Sequence, residues 1–118
     1  MEKIEESKGN NLKYAILRGA GLYNADLHGA NLSVAILDGA NLEEANLSGA
    51  NMYGARLTET NLSNADLRNT KLMCAVLVRA NLEGAVLTGA SLLEANTTGA
   101  NLKGAIIDDA EGNEYELI

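Results

Sequence analysis

The chain has 118 residues, a size that suits one domain, and carries a net charge of −7 with no Pro, Phe or Trp. That acidic balance argues against non-specific attachment to a phosphate backbone, which needs Lys and Arg to displace counterions. Without Phe or Trp it cannot build an aromatic-packed core of the ordinary kind, and its single cysteine, Cys74, rules out an internal disulfide or a cysteine metal cluster.

In chain order, the first segment is "MEKIEESKGN", charged and without the apolar centre of a secretory signal. No run approaches the roughly 20 apolar residues of a spanning helix. The expectation is a cytoplasmic protein with no membrane contact. Residues 1–9 read as a polar cap segment, with Ile4 as the one large aliphatic side chain.

From about residue 10 to residue 109 the chain repeats every five residues. Ala recurs at each fifth position from Ala15 to Ala110, except at Thr60 and Thr70. The position two further on, from Leu12 to Ile107, is Leu in 17 of 20 repeats, the exceptions being Met52, Thr97 and Ile107. A helix of 3.6 residues per turn would scatter such a set around its axis. A plain strand would send it alternately to both faces, because five is odd. The chain must turn once per repeat. Four sides of five residues make a square coil of 20, with Ala and Leu inward and successive coils hydrogen-bonded about 4.8 Å apart. Gly at the last position of nine repeats, as in Gly19, Gly29, Gly39 and Gly49, suits a corner with positive φ, and Asn24, Asn64 and Asn69 tolerate it.

The copies "ANLSG", "ADLRN", "ANLEG" and "ANLKG" resemble the pentapeptide-repeat family. The resemblance covers about residues 10–109 and implies an all-β, right-handed quadrilateral β-helix of about five coils. It says little about function. The best-characterised members resemble duplex DNA in shape and charge and bind DNA gyrase, but this chain lacks their extra loops and terminal helix.

Wrapping the sequence at 20 places Leu12 on face one, Leu17 on face two, Leu22 on face three and Leu27 on face four. Asn41, Asn61, Asn81 and Asn101 then stack on face three as a structural amide ladder. Faces one and two carry Lys13, Arg18, Arg56, Lys71 and Arg79 against Asp38, Glu59 and Glu94, net +2, whereas faces three and four are net −5. Asp26, Glu43, Glu44, Asp66 and Glu83 form a candidate acidic face that would steer a basic partner, or simply keep the rod soluble. An apolar stripe follows the corner of faces one and two: Tyr14, Ile16, Val34, Ile36, Cys74, Val76 and Val78, with Tyr53, Met73 and Leu93 in a neighbouring column. A contiguous apolar patch marks an interaction surface, unless Ile and Val merely suit strand positions.

No catalytic set emerges. His28 and Cys74 fall on different sides of the wrapped rod, too far apart to pair as base and nucleophile. No metal cage or phosphate loop is present, so neither metal nor cofactor is expected. Four Asn-x-Ser/Thr matches, at Asn31, Asn46, Asn61 and Asn96, arise from the repeat. Two weak points remain. Thr97 puts a hydroxyl where Leu is expected, at a cost of about 1–3 kcal/mol if buried unpaired. The tail, residues 110–118, breaks the repeat at Gly112 and offers Tyr115, Leu117 and Ile118. These three and Thr97 are the candidate end for a C-terminal homodimer, with a capped monomer as the alternative. The functional expectation is a non-enzymatic binding or scaffolding rod with an unknown protein partner and no direct nucleic-acid contact. A gyrase-directed DNA mimic acting through the acidic faces is the alternative.

Overall fold

The computed structural model describes residues 11–111. The polar cap of residues 1–9 and the tail residues Tyr115, Leu117 and Ile118 lie outside the described residues. Coil two is residues 30–49, coil three 50–69, coil four 70–89 and coil five 90–109; coil one is described from Asn11 onward.

The repeat Ala40-Asn41-Leu42-Glu43-Glu44 shows why five residues make one side. Its five N–H groups all find acceptors, as backbone withdrawn from water requires. Asn41 N–H donates back to the Ala20 carbonyl at 2.9 Å, while Leu42 and Glu44 donate forward to Asn61 and Ser63 at 2.7 and 3.0 Å. Ala40 N–H closes the preceding corner by donating to the Leu37 carbonyl at 2.9 Å. The remaining N–H, that of Glu43, donates to Oδ1 of Asn41 at 3.0 Å. This last bond explains the Asn/Asp of the motif: the side chain makes a local turn with the backbone two residues on.

Repetition of this unit sets the register. Among the described residues, seventeen parallel bridges join residues 20 apart, from Asn11 with Asn31 to Ser91 with Glu111. Glu111 thus already sits on coil five as the first pairing residue of a further turn. All twenty residues at the fifth position, from Tyr14 to Asp109, have positive φ. Together with the bond closing each corner, this is the pattern of a turn with a left-handed third residue. Eleven of these corners are not glycine, so the coil imposes the conformation even where the side chain opposes it.

The Leu column fills the interior: Leu42, Leu47, Leu62 and Leu67 are all fully buried, as the wrap predicts. Met52 replaces a Leu with no loss of burial. At the ends of the described residues Leu12, Leu17, Leu102 and Ile107 are only partly covered, each having a described neighbouring coil on one side. Thr60 and Thr70, which stand in for Ala, are buried with satisfied hydroxyls: Thr60 donates to the Leu37 carbonyl and Thr70 to that of Leu67, both at 2.8 Å. The Leu carbonyl has a second lone pair to offer, so an Ala site admits Thr without an orphaned hydroxyl. Thr97 is half-buried rather than shut inside the rod, so its position is not the fully buried one that the Leu column occupies in the middle coils.

Candidate functional site

The outward side chains divide into a structural set and a set the coil does not need. All eleven Asn or Asp residues that precede the inward Leu position, held by Met52 and Thr97 in two repeats, accept the N–H two residues on. Sequence reading overlooks this role, although the recurrence of Ser or Thr two positions after Asn in four repeats signals it. Ser33, Ser48, Ser63 and Thr98 add a hydroxyl bond to the same oxygen at 2.6–2.8 Å. These are the four Asn-x-Ser/Thr matches, and they are turn motifs of the fold. The face-three ladder forms, with amide contacts of 3.3, 3.4 and 3.3 Å from Asn61 to Asn41, Asn81 to Asn61 and Asn101 to Asn81.

The candidate acidic residues are not one open cluster. Asn46 pairs with both Asp26 and Asp66 in the ladder and so separates them. Glu43 and Glu44 stand in other columns. Asp66 receives a forked pair of bonds from Arg68, at 2.8 and 2.6 Å. These bonds hold the Asp66 carboxyl below the usual carboxylate range, partial burial acting against them. Asp26 is also lowered, first by its 2.7 Å side-chain contact with His28 Nδ1. Glu44 accepts the Tyr23 hydroxyl at 3.1 Å, which raises the pKa of that phenol. Glu43 is partly buried and Glu83 exposed, two coils apart on face three with Ser63 between them. Among the described residues, no group of three His, Cys, Asp or Glu converges as metal ligands would.

The apolar stripe follows the edge between faces one and two, and coil one presents it most openly. Tyr14 is 64% and Ile16 68% exposed. Ile36 pairs with Ile16 in the ladder and is half-buried, while Val34 remains 40% exposed at the corner. Coil three interrupts the stripe with Gly54 and with Arg56, which pairs with Asp38 at 3.2 Å. Beyond it Met73, Cys74, Val76 and Val78 are half-buried, and Tyr53 and Leu93 are exposed. The Cys74 thiol lies 3.7 Å from Glu94 Oε1. Two exposed apolar side chains lie outside the stripe, Tyr23 on face three and Ile106 on face four. Tyr23 stacks on Glu43 in its column, whereas Ile106 pairs with the half-buried Val86 in the ladder.

Backbone geometry separates this edge from the other three. Its corner residues, Tyr14, Val34, Gly54, Cys74 and Glu94, all have positive φ, yet only one is glycine and none is Asn or Asp. Val34, β-branched at φ 59°, is the least suited of all, since a branched Cβ crowds the left-handed region. The corners between faces three and four and between four and one are Gly, Asn or Asp, with Glu44 the single exception. On the fourth edge the two non-glycine corners, Glu59 and Arg79, pair with each other at 2.9 Å.

This architecture has known counterparts. A pentapeptide repeat protein of the Arabidopsis thaliana thylakoid lumen is 34% identical, with a TM-score of 0.78 over 80% of this chain and 66% of that one. A pentapeptide repeat protein of the cyanobacterium Cyanothece is 42% identical, with a TM-score of 0.56 over 71% of this chain and 60% of that one. The chain thus spans about three fifths to two thirds of these relatives' length. No curated protein matches it. The family description "Pentapeptide repeats" matches residues 8–34, 35–73 and 75–111, in eight copies. With a period of five, a left-handed corner in every repeat and a ladder offset of 20, the chain belongs to the pentapeptide repeat family and folds as its right-handed quadrilateral β-helix.

Proposed function

We propose that this rod is a non-enzymatic binding or scaffolding module that meets a protein partner along the edge between faces one and two. One observation carries the reading. At this edge the left-handed corner conformation is occupied by Tyr14, Val34 and Cys74, where Gly or Asn would fold at lower cost. Backbone strain of this kind, about 1–3 kcal/mol per residue, concentrates where a side chain is kept for what it contacts. The same side chains form the apolar stripe, and Tyr14 and Val34 are exposed. Apolar area left open on a soluble rod is the signature of a contact surface.

The acidic faces support a DNA-mimic reading less well, because Asp26 and Asp66 are each engaged by a basic neighbour. The test is a variant carrying Tyr14→Asn and Val34→Asn. It is expected to melt no lower than the parent chain and to lose a partner that the parent retains from source lysate. Retention of every partner by this variant would refute the proposal. Purified gyrase assayed for supercoiling is expected to be indifferent to the rod. Inhibition would shift the assignment to the acidic faces.

A further inference from the structure

The charges around the stripe carry information about the partner. Within coils one to five, each carboxylate on faces one and two has a partner. Asp38 accepts both Arg56 at 3.2 Å and the Thr58 N–H at 3.0 Å, Glu59 holds Arg79 at 2.9 Å, and Glu94 faces the Cys74 thiol. Three cations on these faces stand outside the ion pairs seen among the described residues: Lys13, Arg18 and Lys71, all exposed. Lys13 and Arg18 bracket the most exposed part of the stripe. Lys13 lies 5.1 Å from the Tyr14 ring centroid, and Arg18 follows Ile16 by two residues on face two. Asp38, next to Arg18 in its column, is already committed to coil three. Tyr14, Ile16, Val34 and Ile36 therefore form an apolar block with a free cation on each flank. Faces three and four are net acidic and repel a negatively charged partner. Among the described residues this block, with two of the three exposed cations outside the ion pairs on faces one and two, is the side that attracts one.

Resting on the reading of the edge as a protein contact, we infer that the block formed by Tyr14, Ile16, Val34 and Ile36 docks an acidic segment of a partner protein. That segment sets aliphatic side chains on the block and carboxylates against Lys13 and Arg18. The cations set orientation and encounter rate, and the apolar contact holds the segment in place.

Fluorescence anisotropy with the full chain tests this, using as probe a short end-blocked peptide that alternates glutamate with leucine. Saturable binding is expected, weakened about ten-fold or more by Lys13→Glu with Arg18→Glu, and likewise by Tyr14→Asn with Ile16→Asn. Raising salt should weaken it as well. Lys103→Glu, an exposed charge reversal on face three, should leave it unchanged. All these positions are exposed, and a circular dichroism melt of each variant checks that the fold is kept. Equal affinity for a lysine–leucine peptide, or indifference to the double charge reversal, would overturn the acidic partner while leaving the apolar edge intact. Loss of affinity with Lys103→Glu as large as with Lys13→Glu and Arg18→Glu would overturn the location. Absence of binding by any of the peptides overturns the inference outright. Self-association of the chain in sedimentation, abolished by Tyr14→Asn, would assign the block to a second copy and overturn it too.

Discussion

At the corner between faces three and four the coils place Asn24, Glu44, Asn64, Gly84 and Gly104; between faces one and two they place Tyr14, Val34, Gly54, Cys74 and Glu94. All ten residues share the left-handed backbone. The first set mostly suits that conformation and the second mostly opposes it. Both edges hang on the same buried column, so the interior cannot be the source of the difference. Packing of Leu and Ala gives enough stability for the rod to tolerate unfavourable corners, and one edge uses that tolerance. In a solenoid, where each coil touches only its neighbours, such a local cost stays local.

The largest expected effect tests the shared interior on which this comparison depends. Leu62→Ala or Leu67→Ala in coil three should destabilise by about 2–5 kcal/mol through the cavity left behind. Ile107→Ala should cost less, because Ile107 is only partly buried in the last described coil. Urea melts giving equal losses at the three sites would break the picture of a layered interior supporting all four edges.

Next come the corners themselves, and here the two edges should answer with opposite signs. Gly84 has φ 72°, and the Asn64 amide oxygen lies over it where a Cβ would go. Gly84→Ala should destabilise by about 1–2 kcal/mol, the cost of an L side chain in the left-handed region. Val34→Asn puts a tolerant residue at φ 59° and should stabilise by about 1 kcal/mol. If thermal melts show Val34→Asn to be destabilising, the edge is not strained, and the main support for the proposed contact is removed.

The smallest effect is electrostatic and concerns the acidic side. Asp66 titrates below its ordinary value because Arg68 bonds its charged form. A folded pKa below the unfolded one adds stability that is fully present above the unfolded value and is lost as pH falls through the folded one. Asp66→Asn keeps the turn bond to the Arg68 N–H but gives up the charge. Its melting temperature should lie slightly below the parent's near neutrality and converge with it in acid, as the pH falls through the lowered pKa of Asp66. A gap that stays constant with pH would show that the Asp66–Arg68 pair contributes nothing.

Much of this was legible in the residues. The period of five with Ala and Leu specifies a turn every repeat, and wrapping at 20 puts Leu42, Leu47, Leu62 and Leu67 inside. The roles of side-chain oxygens were harder to read. Asn41 stacks as a ladder member, which periodicity reveals. It also caps Glu43, which only backbone accounting reveals, because the orphan N–H appears once the other four are assigned. The acidic face looked continuous because charge was counted by face, whereas long side chains choose partners within reach. Arg68 turns back on Asp66 and Tyr23 reaches across a coil to Glu44.

By itself the sequence determined the architecture, the number of coils and the occupants of the interior, because each is a consequence of strict periodicity: a repeated pattern has one way to bury its Leu and satisfy its backbone. The tertiary structure decided what periodicity cannot encode. It paired the Thr60 and Thr70 hydroxyls with Leu carbonyls, which needs the actual path of neighbouring backbone. It forced eleven non-glycine residues into the left-handed region, since closing a coil constrains every corner alike. And by committing Asp38 and Glu59 to Arg56 and Arg79, it left Lys13 and Arg18 on either side of an open apolar block. Such pairing depends on distances between side chains 18 to 20 residues apart, which exist only after the chain has wound back over itself.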